Sequence, residues 1–154
     1  SQAAGNITIA RRYLDPKTNK PLEAISEGQL VKVELVINMP EDASFVIVED
    51  HLPGGLEALN ESLNSTTQDI INYESEYYEE RFFWQDYGYN YKEIRGDRVS
   101  FFLTEFKQGS KSFKYLARAT MSGTFTALPA EAYAMYDEQL WGRSSSTSTS
   151  ILSR

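Results

Sequence analysis

Gly28-Gln29-Leu30-Val31-Lys32-Val33-Glu34-Leu35-Val36-Ile37-Asn38-Met39 decides how this chain folds. Val31, Val33, Leu35 and Ile37 alternate with Lys32, Glu34 and Val36. That is the period of two of a strand with one face in a core, not the 3.6 of a helix. Asn38-Met39-Pro40-Glu41-Asp42 closes it, because proline has no N–H for a ladder and Asn and Asp favour turns.

Working outward, the same alternation recurs over residues 7–13, 99–104 and 113–118, each stretch bounded by Gly, Pro, Asn or Asp. Gln108-Gly109-Ser110-Lys111 and Met121-Ser122-Gly123 separate successive stretches by short Gly-containing loops. Such spacing predicts three consecutive antiparallel strands over residues 99–125. Helical signals are weak: residues 130–135 could form a turn or two and residues 69–80 contain helix formers, without a long apolar stripe. The predicted fold class is all-β with a short helix at most, an antiparallel β-sandwich. One domain is expected over residues 7–143, between a flexible N-terminal segment (1–6) and a flexible Ser/Thr-rich tail (144–154) that has little apolar area to bury.

A chain of 154 residues can bury roughly 70% of its unfolded surface without covalent staples. Cysteine is absent, which excludes a disulfide, a thiolate metal site and a cysteine nucleophile. A net charge of -7 argues against a phosphate-binding surface, so nucleic acid is not an expected partner. Apolar runs such as Phe45-Val46-Ile47-Val48 fall far short of the ~20 residues that cross a bilayer. The chain begins at Ser1 without an initiator Met, and a processed or excised fragment is expected.

Residues 72–92 break the strand rhythm with an acidic, aromatic insertion that includes Tyr77, Tyr78, Phe82, Phe83, Trp84 and Tyr87. These six are a candidate partner surface, since Tyr and Trp give stiff contact area at low entropy cost. The reading that a loop of this length favours is that they cap an open end of the sandwich. Three chemistries fail on spacing or motif. His51, the single histidine, has Asp50 beside it, but neighbours on a strand point to opposite faces, so no metal site is assigned. A serine triad would need the same His51, and no G-x-S-x-G elbow exists. Glu79-Glu80 among tyrosines resembles a glycosidase pair only superficially, because consecutive residues do not face each other. No catalytic residue and no cofactor are assigned, and the chain is read as a non-enzyme.

Four blocks in series resemble the C-terminal domain of bacterial alpha-2-macroglobulin-like proteins. They are Asp50-His51-Leu52-Pro53-Gly54-Gly55-Leu56-Glu57; Glu93-Ile94-Arg95-Gly96-Asp97-Arg98-Val99; Phe113-Lys114-Tyr115-Leu116-Ala117-Arg118-Ala119 with Gly123-Thr124-Phe125; and Ala132-Tyr133-Ala134-Met135-Tyr136-Asp137 with Gly142-Arg143-Ser144. Tyr133 and Glu138 depart from the pattern. The resemblance implies a macroglobulin or immunoglobulin-like sandwich inside a peptidase trap. In such a trap a thioester in a separate domain captures the attacking protease, and this domain docks on the thioester domain and shields it through a Met-Tyr pair, here Met135 and Tyr136. It further implies an extracytoplasmic setting, the bacterial periplasm or cell surface, with a parent chain that could be lipid-anchored. The alternative reading is a free-standing extracellular module that grips carbohydrate or peptide with the aromatic insertion.

Overall fold

The computed structural model describes residues 3–59, 89 and 91–153, and the six insertion aromatics named above lie outside them. The strand read over residues 28–39 forms as β4 (Leu30–Met39) and is the centre of the sandwich. Its inward side chains Val31, Val33, Leu35 and Ile37 have no solvent exposure. Burial of this kind contributes roughly 1.5–3 kcal/mol per side chain. β4 is flanked by β2 (Thr8–Leu14) and β9 (Gly109–Ala119), and β6 (Leu56–Ala58) completes a four-stranded sheet, order β2-β4-β9-β6. On the outer face of this sheet Glu34 sits between its register partners Arg12 and Lys114 and pairs with both.

Facing it is a six-stranded sheet of order β1-β12-β11-β5-β8-β7, made of β1 (Ala4–Gly5), β5 (Ala43–His51), β7 (Tyr91–Arg95), β8 (Arg98–Phe106), β11 (Glu131–Ala134) and β12 (Asp137–Arg143). The rings of Phe101 and Phe106 reach Phe113 of the opposite sheet at centroid distances of 5.3 and 6.1 Å. A third, three-stranded sheet joins β10 (Gly123–Ala127), β13 (Thr147–Leu152) and β3 (Ile25–Ser26), with β13 and β3 parallel.

Three expectations are corrected. The stretches over residues 99–125 are strands, but β8, β9 and β10 lie in three different sheets and do not pair with one another. The exposed link from Phe106 to Gly109 passes over the rim of the sandwich to the other sheet instead of turning back in one sheet, helped by Gly109 at φ +124°. Residues 131–134 are strand, not helix, with Ala132 and Ala134 buried and Glu131 and Tyr133 on the outer face. Much of the tail is β13, where Thr149 and Ile151 are buried and the backbone is laddered to β10 and β3. At the other end Ala4–Gly5 pairs with β12, and Asn6 accepts from the Trp141 amide (3.0 Å) and donates to the Gln139 carbonyl (2.8 Å).

The block from Asp50 to Leu56 is explained by packing. Asp50 is buried; Leu52 enters the core and its amide donates to the Asp97 carbonyl (2.8 Å); the Pro53 carbonyl accepts from Leu56 (3.0 Å). A Cβ at Gly55 would stand 2.5 Å from both Phe125 and Ile151. Arg95 and Arg98 flank the two-residue turn Gly96-Asp97, where Gly96 takes φ +54°.

One buried polar group ties the two main sheets together. Arg11 Nη1 of β2 donates to Asp50 Oδ1 of β5 at 2.5 Å and to the Leu128 carbonyl at 2.9 Å, while the Tyr115 hydroxyl of β9 donates to Asp50 Oδ2. Burial opposes the Arg11 charge, but Asp50 and the neighbouring phenols outweigh it and hold the guanidinium pKa above its ordinary value. Burial, and then the negative Asp50, push the Tyr115 phenol well above 10.0. Below pH 10.0 Tyr115 is protonated in both folded and unfolded chains, so its titration does not change stability. Above it the unfolded chain releases the proton and the folded chain keeps it, so stability falls as pH rises. Urea unfolding between pH 9 and 11.5 should therefore show a declining stability whose slope is shallower in Tyr115→Phe by up to about 1.4 kcal/mol per pH unit. Equal slopes would mean that Tyr115 is not held protonated.

Candidate functional site

Met135 and Tyr136 occupy the two central positions of the β11–β12 hairpin, with Ala134 paired to Asp137 across them. β11 is anchored on both sides. Its Glu131, Ala132, Tyr133 and Ala134 pair with Glu49, Val48, Ile47 and Val46 of β5, and the Met135 amide donates to the Phe45 carbonyl at 2.9 Å. At the base of the hairpin the Ser144 hydroxyl accepts from the Ala130 amide at 2.9 Å, and the Ser144 amide donates to the Ala130 carbonyl at 2.8 Å. On the β12 side the register shifts after Asp137, so Glu138, Gln139 and Leu140 have no direct partners in β11. The Asp137 carboxylate accepts from the Gln139 amide at 3.2 Å within this bulge, and Leu140 turns into the core.

The turn therefore presents large apolar side chains to solvent from a braced frame. Tyr136 is 79% exposed and Met135 49%. Phe45, itself 48% exposed, packs edge-to-face on Tyr136 with ring centroids 5.6 Å apart at 82°. Phe45 has φ +56°, an uncommon conformation for a bulky residue inside a strand. Beside the pair is a surface recess of about 350 Å³ whose lining includes Asp42, Ala43, Phe45, Ala134, Asp137 and Leu140. The residues contribute aromatic surface, an adaptable thioether and a recess, a combination suited to contact. Phe45 carries no signal in the sequence, because nothing in Asp42-Ala43-Ser44-Phe45 announces a positive φ or a ring turned outward.

The outer face of the same sheet holds a second cluster. Glu49 and His51 lie on one side of β5, and Glu131 is the direct register partner of Glu49. Tyr133 beside them has its phenol pKa raised by partial burial and then by the Glu49 and Glu131 carboxylates. Asp50 points inward, so the opposite-faces reasoning for Asp50 and His51 holds for that pair. The residues that do converge with His51 are two positions away and on the next strand.

The chain has clear relatives. Residues 7–139 match the model of a family described as the bacterial alpha-2-macroglobulin MG10 domain. An alpha-2-macroglobulin of Thermotoga maritima is 33% identical over 136 residues, 80% of this chain and 8% of the relative. Among solved structures, Salmonella alpha-2-macroglobulin reacted with methylamine superposes with a TM-score of 0.77 at 25% identity, covering 98% of this chain and 10% of that one. Trypsin-activated alpha-2-macroglobulin of Escherichia coli superposes with a TM-score of 0.83 at 22% identity, covering 98% of this chain and 11% of that one. This chain thus spans about a tenth of the length of the proteins it resembles.

Proposed function

This chain belongs to the bacterial alpha-2-macroglobulin MG10 domain family, and from that premise we propose that it is a non-catalytic domain of a peptidase inhibitor. In this reading it lies toward the C-terminus of a much longer extracytoplasmic parent and docks on the parent's thioester domain through Tyr136 and Met135. The observation that carries the proposal is the turn itself. Tyr136 is the most exposed large apolar side chain among the described residues, and it is held on Phe45 by a hairpin paired on both sides. An exposed ring whose orientation is already restricted loses little entropy on docking. A thioester survives only while water is kept from its carbonyl, and a tyrosine plug flanked by an adaptable thioether gives dry cover.

The test is made in the intact parent inhibitor. Tyr136→Ala is expected to speed the loss of thioester to methylamine by roughly tenfold or more, equivalent to about 1.4 kcal/mol of lost cover. Met135→Ala and Phe45→Ala should give smaller increases, the latter by freeing the ring. Folding should be unaffected by the Tyr136 change because the side chain buries little. A thioester lifetime equal to wild type in the Tyr136→Ala, Met135→Ala double variant overturns the reading.

A further inference from the structure

We propose that Glu49, His51 and Glu131 form a binding site for a divalent transition cation of the zinc class that clamps β5 to β11. The convergence follows from strand geometry. Residues two apart on a strand share a face, which brings Glu49 and His51 together, and antiparallel register sets Glu131 directly opposite Glu49. One ligand atom from each of the three side chains lies within 4.8 Å of the other two. Tetrahedral ligands at about 2.0–2.2 Å from a common ion stand roughly 3.3–3.6 Å apart, so closing on an ion from this spacing needs side-chain rotation that moves ligand atoms by about 1 Å. Glu131 is exposed and the other two are half-buried, which leaves freedom for that movement.

Nothing in the described protein competes for these groups. None of the three side chains makes a hydrogen bond or ion pair with a described residue, although Glu49 and Glu131 are like charges directly opposite each other. Two arginines are register neighbours, Arg98 of His51 and Arg143 of Glu131, and neither closes an ion pair with the cluster. The Arg143 guanidinium lies instead over the Trp141 ring, 6.0 Å from its centroid. One imidazole with two carboxylates is a mixed nitrogen and oxygen set, which suits zinc and its transition-metal neighbours, with water completing the shell. Calcium and magnesium favour all-oxygen sets. The proposal is independent of the docking reading. Its mechanical consequence is a cross-link between the two strands that lead to Phe45 and to the Met135-Tyr136 turn.

The experiment uses the untagged chain, since His51 is its single histidine and an affinity tag would mask it. After chelator treatment, calorimetric titration with zinc chloride should give one saturable site with a dissociation constant on the order of 10 µM, and thermal unfolding should move upward with zinc concentration. Calcium and magnesium chloride should do neither. His51→Gln and Glu131→Gln should each weaken zinc at least about tenfold without lowering metal-free stability, Glu131→Gln even relieving the repulsion from Glu49. Cobalt should give visible d–d absorption in the wild type that disappears in His51→Gln. Absence of saturable zinc binding, equal affinity in His51→Gln, or calcium binding as tightly as zinc overturns the proposal.

Discussion

Asp50→Ala is expected to destabilise the fold by about 3–5 kcal/mol, the range for breaking a buried ion pair by removing one partner. The side chains of Asp50 and Arg11 are 1% and 4% exposed, so water cannot replace the lost contact. The truncation strands the Arg11 charge and deprives the Tyr115 hydroxyl of its acceptor. Because Asp50 is on β5, Arg11 on β2 and Tyr115 on β9, the damage falls on both main sheets at once. Urea denaturation measures the change. Adding Arg11→Met to Asp50→Ala should recover part of the loss, since the unpaired cation is then gone. A single-variant effect below about 1 kcal/mol would mean that the buried pair is not holding the sheets together.

Such a network marks the boundary of what the chain's pattern could announce. The alternation in residues 28–39 foretold β4 because Val31, Val33, Leu35 and Ile37 bury one face whatever pairs beside them. Strand partners were not legible in the same way. Phe106 and Phe113 belong to facing sheets, and period two is the same whether a short loop turns back within a sheet or crosses to another. The tail misled through composition: Ser and Thr dominate it, but Thr149 and Ile151 keep a buried period of two. In residues 130–135 alanines suggested helix, while Glu131 and Tyr133 alternating with Ala132 and Ala134 already spelled a strand. Met135 and Tyr136, exposed at the β11–β12 turn, became candidates only through the family resemblance. Phe45, turned outward at a positive φ, and Glu131, brought to Glu49 by strand register, were not readable at all.

Gly142→Ala should cost about 3 kcal/mol, from the loss of Ile7 burial and of one backbone hydrogen bond. A Cβ at residue 142 would stand 1.9 Å from the Ile7 carbonyl oxygen and 2.7 Å from its carbon, and backbone cannot swing aside as a side-chain tip does. Ile7 is buried, and its amide donates to the Trp141 carbonyl at 2.9 Å. The opposing Gly5 has the same constraint, since its own Cβ would meet the Trp141 carbonyl oxygen at 2.5 Å. The glycine of the Gly142-Arg143-Ser144 block is thus explained by the close approach of the N-terminal segment. Gly96→Ala is the control: nothing lies within 4 Å of its Cβ, so only the cost of φ +54° remains, about 1–2 kcal/mol. Urea unfolding separates the two variants, and hydrogen exchange should show the Ile7 amide losing protection in Gly142→Ala alone. Equal costs would mean that the N-terminal segment gives way freely. The displacement should also reach the β11–β12 turn, because Asn6 holds Gln139 and Trp141 on either side of Leu140, in the β12 stretch that follows Tyr136. On the proposed docking reading, Gly142→Ala in the intact parent chain is expected to raise methylamine reactivity, by less than Tyr136→Ala does, since it loosens the frame of the turn and leaves the ring in place.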